Sequence, residues 1–321
     1  MKILICDDSS VARRSIAKCI TQTDNVQIVF AKDGLEALQV LKEQNIDILF
    51  LDLTMPVMDG FDVLASLPVS NYQTKTVVIS GDVQQEAKTR CRNLGAYDFV
   101  SKPFTAEIAK PLFDELGIVF YTANKPKPVQ EAETIDPLTK FKELTNIALG
   151  QGAAVLGDHL SEFIQLPIPN VGPLTYGELK MTMEDVISRD NSIAVSQRFV
   201  GGGLHGEALV CLRGSHVNEI GIRLGYTPEH STYNEIVLNI ANLLVSSYLV
   251  ALGEQLAKRV ALRQPTVLGH IQKTQSSISD SEEIFTIEYT YSAETLDFQC
   301  EVLFLLDNKS VAEIYKLMEM M

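Results

Sequence analysis

Five short apolar runs, rich in β-branched residues and separated by amphipathic stretches of helical length, fill the first 120 residues of this chain. They are Ile3-Leu4-Ile5, Val26 to Phe30, Ile46 to Leu51, Val77-Val78-Ile79 and Phe99-Val100. Strands that alternate with helices pair in parallel, because each crossover helix returns the chain to the same end of the sheet. The expected fold class is therefore α/β, with a five-stranded parallel sheet covered by helices on both faces. Polar residues at the carboxyl ends of such strands meet at one edge, where open sheets bind their ligands.

That edge is charged. Asp7 and Asp8 follow the first run and Asp52 follows the third. Three carboxylates held together repel one another unless a divalent cation sits among them, and Mg²⁺ suits oxygen ligands that also face a phosphate. Ser80 ends the fourth run and brings a hydroxyl; Lys102 follows the fifth and brings a compact positive charge. A single Asp at a strand end is usually only a polar strand end. Five matching residue types at the ends of different strands fit in-line phosphoryl transfer, where positioning and charge neutralisation do most of the catalysis.

Residues 1–118 resemble the receiver domain of two-component response regulators, a flavodoxin-like fold. The resemblance rests on Ile5-Cys-Asp-Asp-Ser-Ser10, Ala31-Lys-Asp-Gly-Leu-Glu-Ala37, Leu51-Asp-Leu-Thr-Met-Pro-Val-Met-Asp-Gly60 and Gly95-Ala-Tyr-Asp-Phe-Val-Ser-Lys-Pro-Phe104. It implies Asp52 as phosphoacceptor and a Mg²⁺ site made by Asp7, Asp8, Asp52 and the Thr54 carbonyl. It implies Ser80 and Phe99 as switch residues, Lys102 as the phosphoryl-binding lysine, a cis Lys102–Pro103 bond and a histidine kinase as donor. On the residues alone, Phe99 fits simple core equally well.

The expected domains are 1–120, a linker over 121–136, and 137–321. The linker stretch, Tyr121 to Asp136, holds two prolines, mixed charge and few apolar residues. As a flexible coil it reaches on the order of 20–25 Å. Beyond it lies a low-identity internal repeat. At an offset of 96 residues Asn146 falls on Asn242, Leu156-Gly157 on Leu252-Gly253, Leu160 on Leu256, Pro169 on Pro265 and Val171 on Val267. At an offset of 94, Glu207-Ala-Leu-Val210 falls on Glu301-Val-Leu-Phe304. Each half, about 137–230 and 231–321, reads as a long helix, strands and a short helix. The strands Ser192 to Val200, Gly206 to Leu212, Ile284 to Tyr291 and Phe298 to Leu306 are expected in one antiparallel sheet around a pseudo-twofold axis.

Glu143 and Asn146 are three apart on a predicted helix and so share a face. A carboxamide donates and accepts hydrogen bonds at once, so it can orient a water for attack on a phosphoryl group held elsewhere. By itself Glu-x-x-Asn is a common solvated helix face; the repeat at fixed offset, with a proline 23 residues after each Asn, raises it above that. Residues 137–321 resemble the CheC, CheX and FliY family of chemotaxis phosphatases, an α+β fold of two pseudo-symmetric repeats. Its pattern, Asp/Ser-x3-Glu-x2-Asn-x22-Pro, reads here as Thr139-x3-Glu143-x2-Asn146-x22-Pro169 and Glu235-x3-Asn239-x2-Asn242-x22-Pro265. The resemblance implies that Glu143 engages a receiver lysine while Asn146 places water. In the second copy Asn239 replaces the glutamate, which marks that copy as degenerate.

The formal net charge of -14 disfavours binding to a phosphate backbone. Five scattered cysteines, none in a CxxC, read as reduced thiols of a cytoplasmic protein. Ile236 to Gly253 carries no charge, yet its Asn and Ser residues and flanking charges favour a buried helix over a membrane span. Gly201-Gly202-Gly203 reads as a hairpin turn. Two functions fit: a phosphatase for aspartyl-phosphate on a separate CheY-like receiver or on its own, and a phosphorylation-dependent docking module without turnover.

Overall fold

The computed structural model describes residues 1–21, 25–69, 73–121, 135–188, 192–215, 217–226, 231–268 and 281–321. The chain divides into two compact units, Met1–Glu143 and Leu144–Met321. The first thus runs beyond the expected boundary at 120. Most of the expected linker, 122–134, lies outside the described residues.

In the first unit β1 (Lys2–Cys6), α1 (Ser10–Cys19), β2 (Gln27–Ala31), α2 (Gly34–Glu43), β3 (Ile48–Leu51), α3 (Gly60–Val69), β4 (Lys75–Ser80), α4 (Gln85–Asn93), β5 (Asp98–Ser101) and α5 (Ala106–Leu116) alternate without exception. The five strands pair in parallel in the order β2-β1-β3-β4-β5. The five apolar runs became the five strands. The central β1 and β3 are buried almost throughout, as strands covered on both faces must be. On one face Ile3, Ile5, Phe50, Val77 and Ile79 pack against Phe104, Leu112 and Phe113 of the chain's β5–α5 segment. The first turn of α1 is capped by Ser9, whose side chain accepts from the Ala12 N–H.

The second unit is built on one antiparallel sheet. α6 (Pro137–Leu160) crosses the boundary between the units, followed by β6 (Ile164–Gln165), β7 (Asn170–Thr175), α7 (Tyr176–Ser188), β8 (Ser192–Gly201), β9 (Leu204–Arg213) and α8 (Val217–Arg223). Then come α9 (Tyr233–Gln255), β10 (Ala261–Leu262), β11 (Thr266–Val267), β12 (Glu283–Ala293), β13 (Gln299–Leu306) and α10 (Asn308–Met320). The main order is β10-β8-β9-β13-β12-β6, with β11 also on β8 and β7 also on β12. This order is symmetric about the β9–β13 boundary. The short strands after α9 pair on β8, and those after α6 pair on β12, so each half completes its sheet with strands from the other.

The four long strands fall where the sequence placed them. The glycine run makes a two-residue turn between the paired Gly201 and Leu204, with φ of 63° at Gly202 and 89° at Gly203, a conformation glycine adopts at little cost. The sequence reading missed α7, although Thr175 and Glu178 close a reciprocal cap at its start. Ile236, Val237, Ile240, Ala241, Leu244, Val245 and Tyr248 of α9 are buried. By length and composition α9 could cross a membrane, but most of its apolar window is buried inside the fold. Tyr248 packs on Tyr289 and Phe304, and the Tyr291 hydroxyl donates to the Leu149 carbonyl of α6 at 2.8 Å.

Candidate phosphoryl-transfer site

Hydrogen bonds that continue the parallel ladder past the strand ends bring the charged residues together. The Asp7 N–H donates to the Ala31 carbonyl (3.2 Å), the Asp52 N–H to the Cys6 carbonyl (2.9 Å) and the Lys102 N–H to the Ser80 carbonyl (2.8 Å). Residues from β1, β3, β4 and β5 therefore line one edge. The Lys102–Pro103 bond is cis, as expected. Gly60 lies so close that a Cβ there would sit 2.2 Å from the Asp52 carbonyl oxygen, so the loop after β3 folds back on the acceptor only with glycine at that position.

At the centre is the Lys102 ammonium. It lies 2.8 Å from Asp7 Oδ2, 3.4 Å from Asp52 Oδ2 and 3.4 Å from Glu143 Oε1, all within the first compact unit. The four residues are buried, with exposures of 1% for Asp7, 4% for Asp52 and 6% for both Lys102 and Glu143. One cation against three carboxylates leaves net negative charge. Burial pushes the Asp7 and Asp52 carboxyls above their ordinary range and Lys102 opposes it. Asp8 is pushed up to about 6, chiefly by burial and then by the Asp7 charge. The Lys102 ammonium is held charged by Asp52, Asp7 and Glu143 against its burial.

The site fits a hard divalent cation. Oxygens of Asp7, Asp8 and Asp52 lie within 4.8 Å of one another. Asp8 Oδ1 and Asp52 Oδ1 are buried without a hydrogen bond among the described residues, and Asp7 Oδ2 is met by the Lys102 ammonium. Such orphan oxygens are costly to bury, and an Mg²⁺ ion would satisfy them. Thr54 lies two residues beyond Asp52 in the same loop. Ser80 is fully buried, with its Oγ accepting from the Asp82 N–H at 3.1 Å. Phe99 is half-buried at β5, with the Lys88 ammonium 5.8 Å from its ring centre. It is therefore neither core nor fully exposed.

Two further residues neighbour the site, Arg13, which the sequence reading missed, and Asp82, which it placed two residues after Ser80. Arg13 donates to the Asp7 and Asp8 carbonyls from the first turn of α1. Asp82, pushed up to about 6 mainly by burial, accepts from the N–H and the side-chain amide of Gln84. Spacing alone gives no signal for Arg13.

The two asparagines of the repeated motif lie in the second unit. Asn146 Oδ1 is buried and has no hydrogen-bond partner among the described residues. Asn242 Oδ1 accepts from Gln197 Nε2 at 2.7 Å. Asn239 Nδ2 donates back to the Glu235 carbonyl of its own helix at 2.8 Å.

The five-stranded parallel sheet with acids, hydroxyl and lysine at one edge is the architecture of a receiver. The family model described as response regulator receiver domain matches residues 3–111. The chemotaxis protein CheY of Listeria monocytogenes is 36% identical over 107 residues, which is 33% of this chain and 90% of that protein. The chain belongs to the response regulators, in the two-component and chemotaxis group. It is also similar to the protein-glutamate methylesterase/protein-glutamine glutaminase of Bacillus subtilis, at 25% identity over 149 residues, 44% of this chain. The chain spans 42% of the length of that relative. Among solved structures it matches the response regulator domain of Thermotoga maritima CheB, at 26% identity and a TM-score of 0.33, covering 36% of this chain and 93% of that one.

Proposed function

We propose that a histidine kinase phosphorylates Asp52, and that the CheC-like second part of the chain hydrolyses the resulting aspartyl-phosphate, with its own receiver as a substrate in cis. The observation that carries this reading is the contact of Glu143 with Lys102. The motif leads one to expect this glutamate on a receiver lysine, and the lysine it meets belongs to the same chain. The symmetric strand order of the second unit supports the duplicated architecture that the motif belongs to.

In the forward step an Asp52 oxygen attacks the phosphorus of the donor, and the donor's bond to phosphorus breaks. Lys102 neutralises charge on the phosphoryl oxygens and the Ser80 hydroxyl bonds one of them. Mg²⁺, held by Asp7, Asp8, Asp52 and the Thr54 carbonyl, would supply the remaining charge neutralisation. In the hydrolytic step Asn146 accepts a hydrogen bond from a water and holds it in line. The water oxygen bonds phosphorus as the Asp52 oxygen–phosphorus bond breaks, which releases inorganic phosphate and restores the carboxylate. Glu143 holds the helix in register by its ion pair.

The methylesterase and glutaminase activities in the relatives' names are not favoured for this chain. The second unit's sheet is antiparallel, and the described residues show no strand-turn-helix elbow that presents a nucleophilic serine. Ser196, Ser215, Ser292 and Ser310 bond Glu207, Asp297, Gln165 and Asp307 side chains rather than a histidine ring. A docking module without turnover keeps the Glu143 contact but makes Asn146 indifferent, which separates the two readings. The test is to load Asp52 of the full chain from a small phosphodonor with Mg²⁺, remove the donor and follow phosphate release. Asn146→Ala is expected to slow release on the order of 10²-fold, the usual worth of one positioned catalytic group. Unchanged release would overturn the phosphatase reading.

A further inference from the structure

The two copies of the motif differ in what holds their asparagines, and the sheet register identifies the cause. Val267 of β11 pairs with Val195 of β8, and Val171 of β7 pairs with Ile287 of β12. Val195 and Ile287 are thus equivalent positions in the two halves. Two residues further along each strand come Gln197 and Tyr289, both buried. Gln197 Nε2 donates to Asn242 Oδ1 at 2.7 Å and to the Arg263 carbonyl at 2.9 Å. Tyr289 has no amide to offer, and its hydroxyl is buried without a partner among the described residues, as is Asn146 Oδ1.

We infer that Gln197 is the residue that silences the second copy: its amide draws the Asn242 carboxamide into the space between α9 and the sheet, where it cannot orient a water for a receiver. This inference rests on the phosphatase reading above. Gln197 is only 1% exposed and lies on the β8 face that also carries the buried Val195 and Phe199. The Asn242 acceptor it holds therefore points inward. Asn239 adds to the silencing, because it lacks the carboxylate and bonds its own helix. Each strand thus controls the helix of the other half. β8, from the first half, restrains the asparagine of α9, from the second. The equivalent position on β12, filled by tyrosine, supplies no such restraint for α6. Gln197 is a positioning residue: it acts through Asn242 and touches no substrate. The domain consequently works from one copy rather than two.

The test follows decay of the Asp52 acyl-phosphate in the full chain over a range of protein concentrations, so that hydrolysis within and between chains are both seen. Asn146→Ala removes the first copy. Adding Asn239→Glu is expected to restore little. Adding Gln197→Met as well, an apolar side chain of similar length, is expected to speed decay at least tenfold over the Asn146→Ala protein. A triple variant that melts like its parent yet decays no faster would overturn the inference, as would full restoration by Asn239→Glu alone. Should Gln197→Met melt out, Gln197→Leu gives the same reading, because it too offers Asn242 neither donor nor acceptor. If the unmodified chain decays no faster than Asn146→Ala, the phosphatase reading itself fails and the inference falls with it. That result is distinct from a triple variant that alone fails to recover.

Discussion

In the parallel sheet every strand runs out at the same edge, so Asp7, Asp52, Ser80 and Lys102 converge from four different strands, and Glu143 of α6 joins them at Lys102. In the antiparallel sheet neighbouring strands end at opposite edges, so their carboxyl ends do not line up side by side. Its candidate chemistry comes instead from two helices laid on it, and the sheet acts on that chemistry from below, by what its inward positions offer. Gln197 offers an amide and Tyr289 a ring and hydroxyl. Two motif copies that look alike in sequence are therefore unlike in the fold, while the receiver site is nearly fixed by strand ends alone.

The largest expected effect tests the parallel-sheet site. Asp52→Asn removes the acceptor oxygen charge, so transfer of phosphoryl from a small donor should fall to background, checked by radiolabel incorporation into the full chain. Next, Asn146→Ala should lengthen the acyl-phosphate lifetime on the order of 10²-fold. Glu143→Gln keeps the shape but loses the charge-assisted contact to Lys102. Such a contact is worth about 1.5–3 kcal/mol, and because the Gln Oε1 still accepts from the ammonium only the lower part of that is lost, so phosphate release should slow roughly tenfold, less than for Asn146→Ala. Equal losses in the two variants would mean that placing the helix, not the water, limits the rate. The smallest effect concerns stability of the loop that carries the acceptor. Val57 sits there at φ 71°, 79% exposed, a conformation that costs a β-branched residue. Val57→Gly should stabilise the chain by about 1 kcal/mol in a denaturant titration, with no change in the rate of phosphate release.

Most of the receiver was legible because its signals are local: β-branched runs give the strands, and acids just past them give the site. The Thr54 carbonyl and the half-buried Phe99 depended on resemblance, since neither residue type announces a role. The long antiparallel strands were legible from alternation. The exchange of short strands between halves was not, because β10 and β11 are two residues each and carry no periodicity. The helix α7 could have been found: Thr175-x-x-Glu178 is a capping signature before good helix formers. Gln197 also left a trace, as the one polar side chain among the inward positions Val195, Gln197 and Phe199 of an otherwise apolar face. What it holds could be known only from the fold, because Asn242 is 45 residues away in sequence.

The central claim, that the chain resets its own receiver, is tested most directly by diluting the phosphorylated full chain and timing loss of the Asp52 acyl-phosphate. Hydrolysis in cis predicts a first-order rate constant that stays the same over a hundredfold range of concentration and drops when Asn146 is replaced by alanine. A rate constant that falls in proportion to dilution, or one indifferent to Asn146, would contradict it.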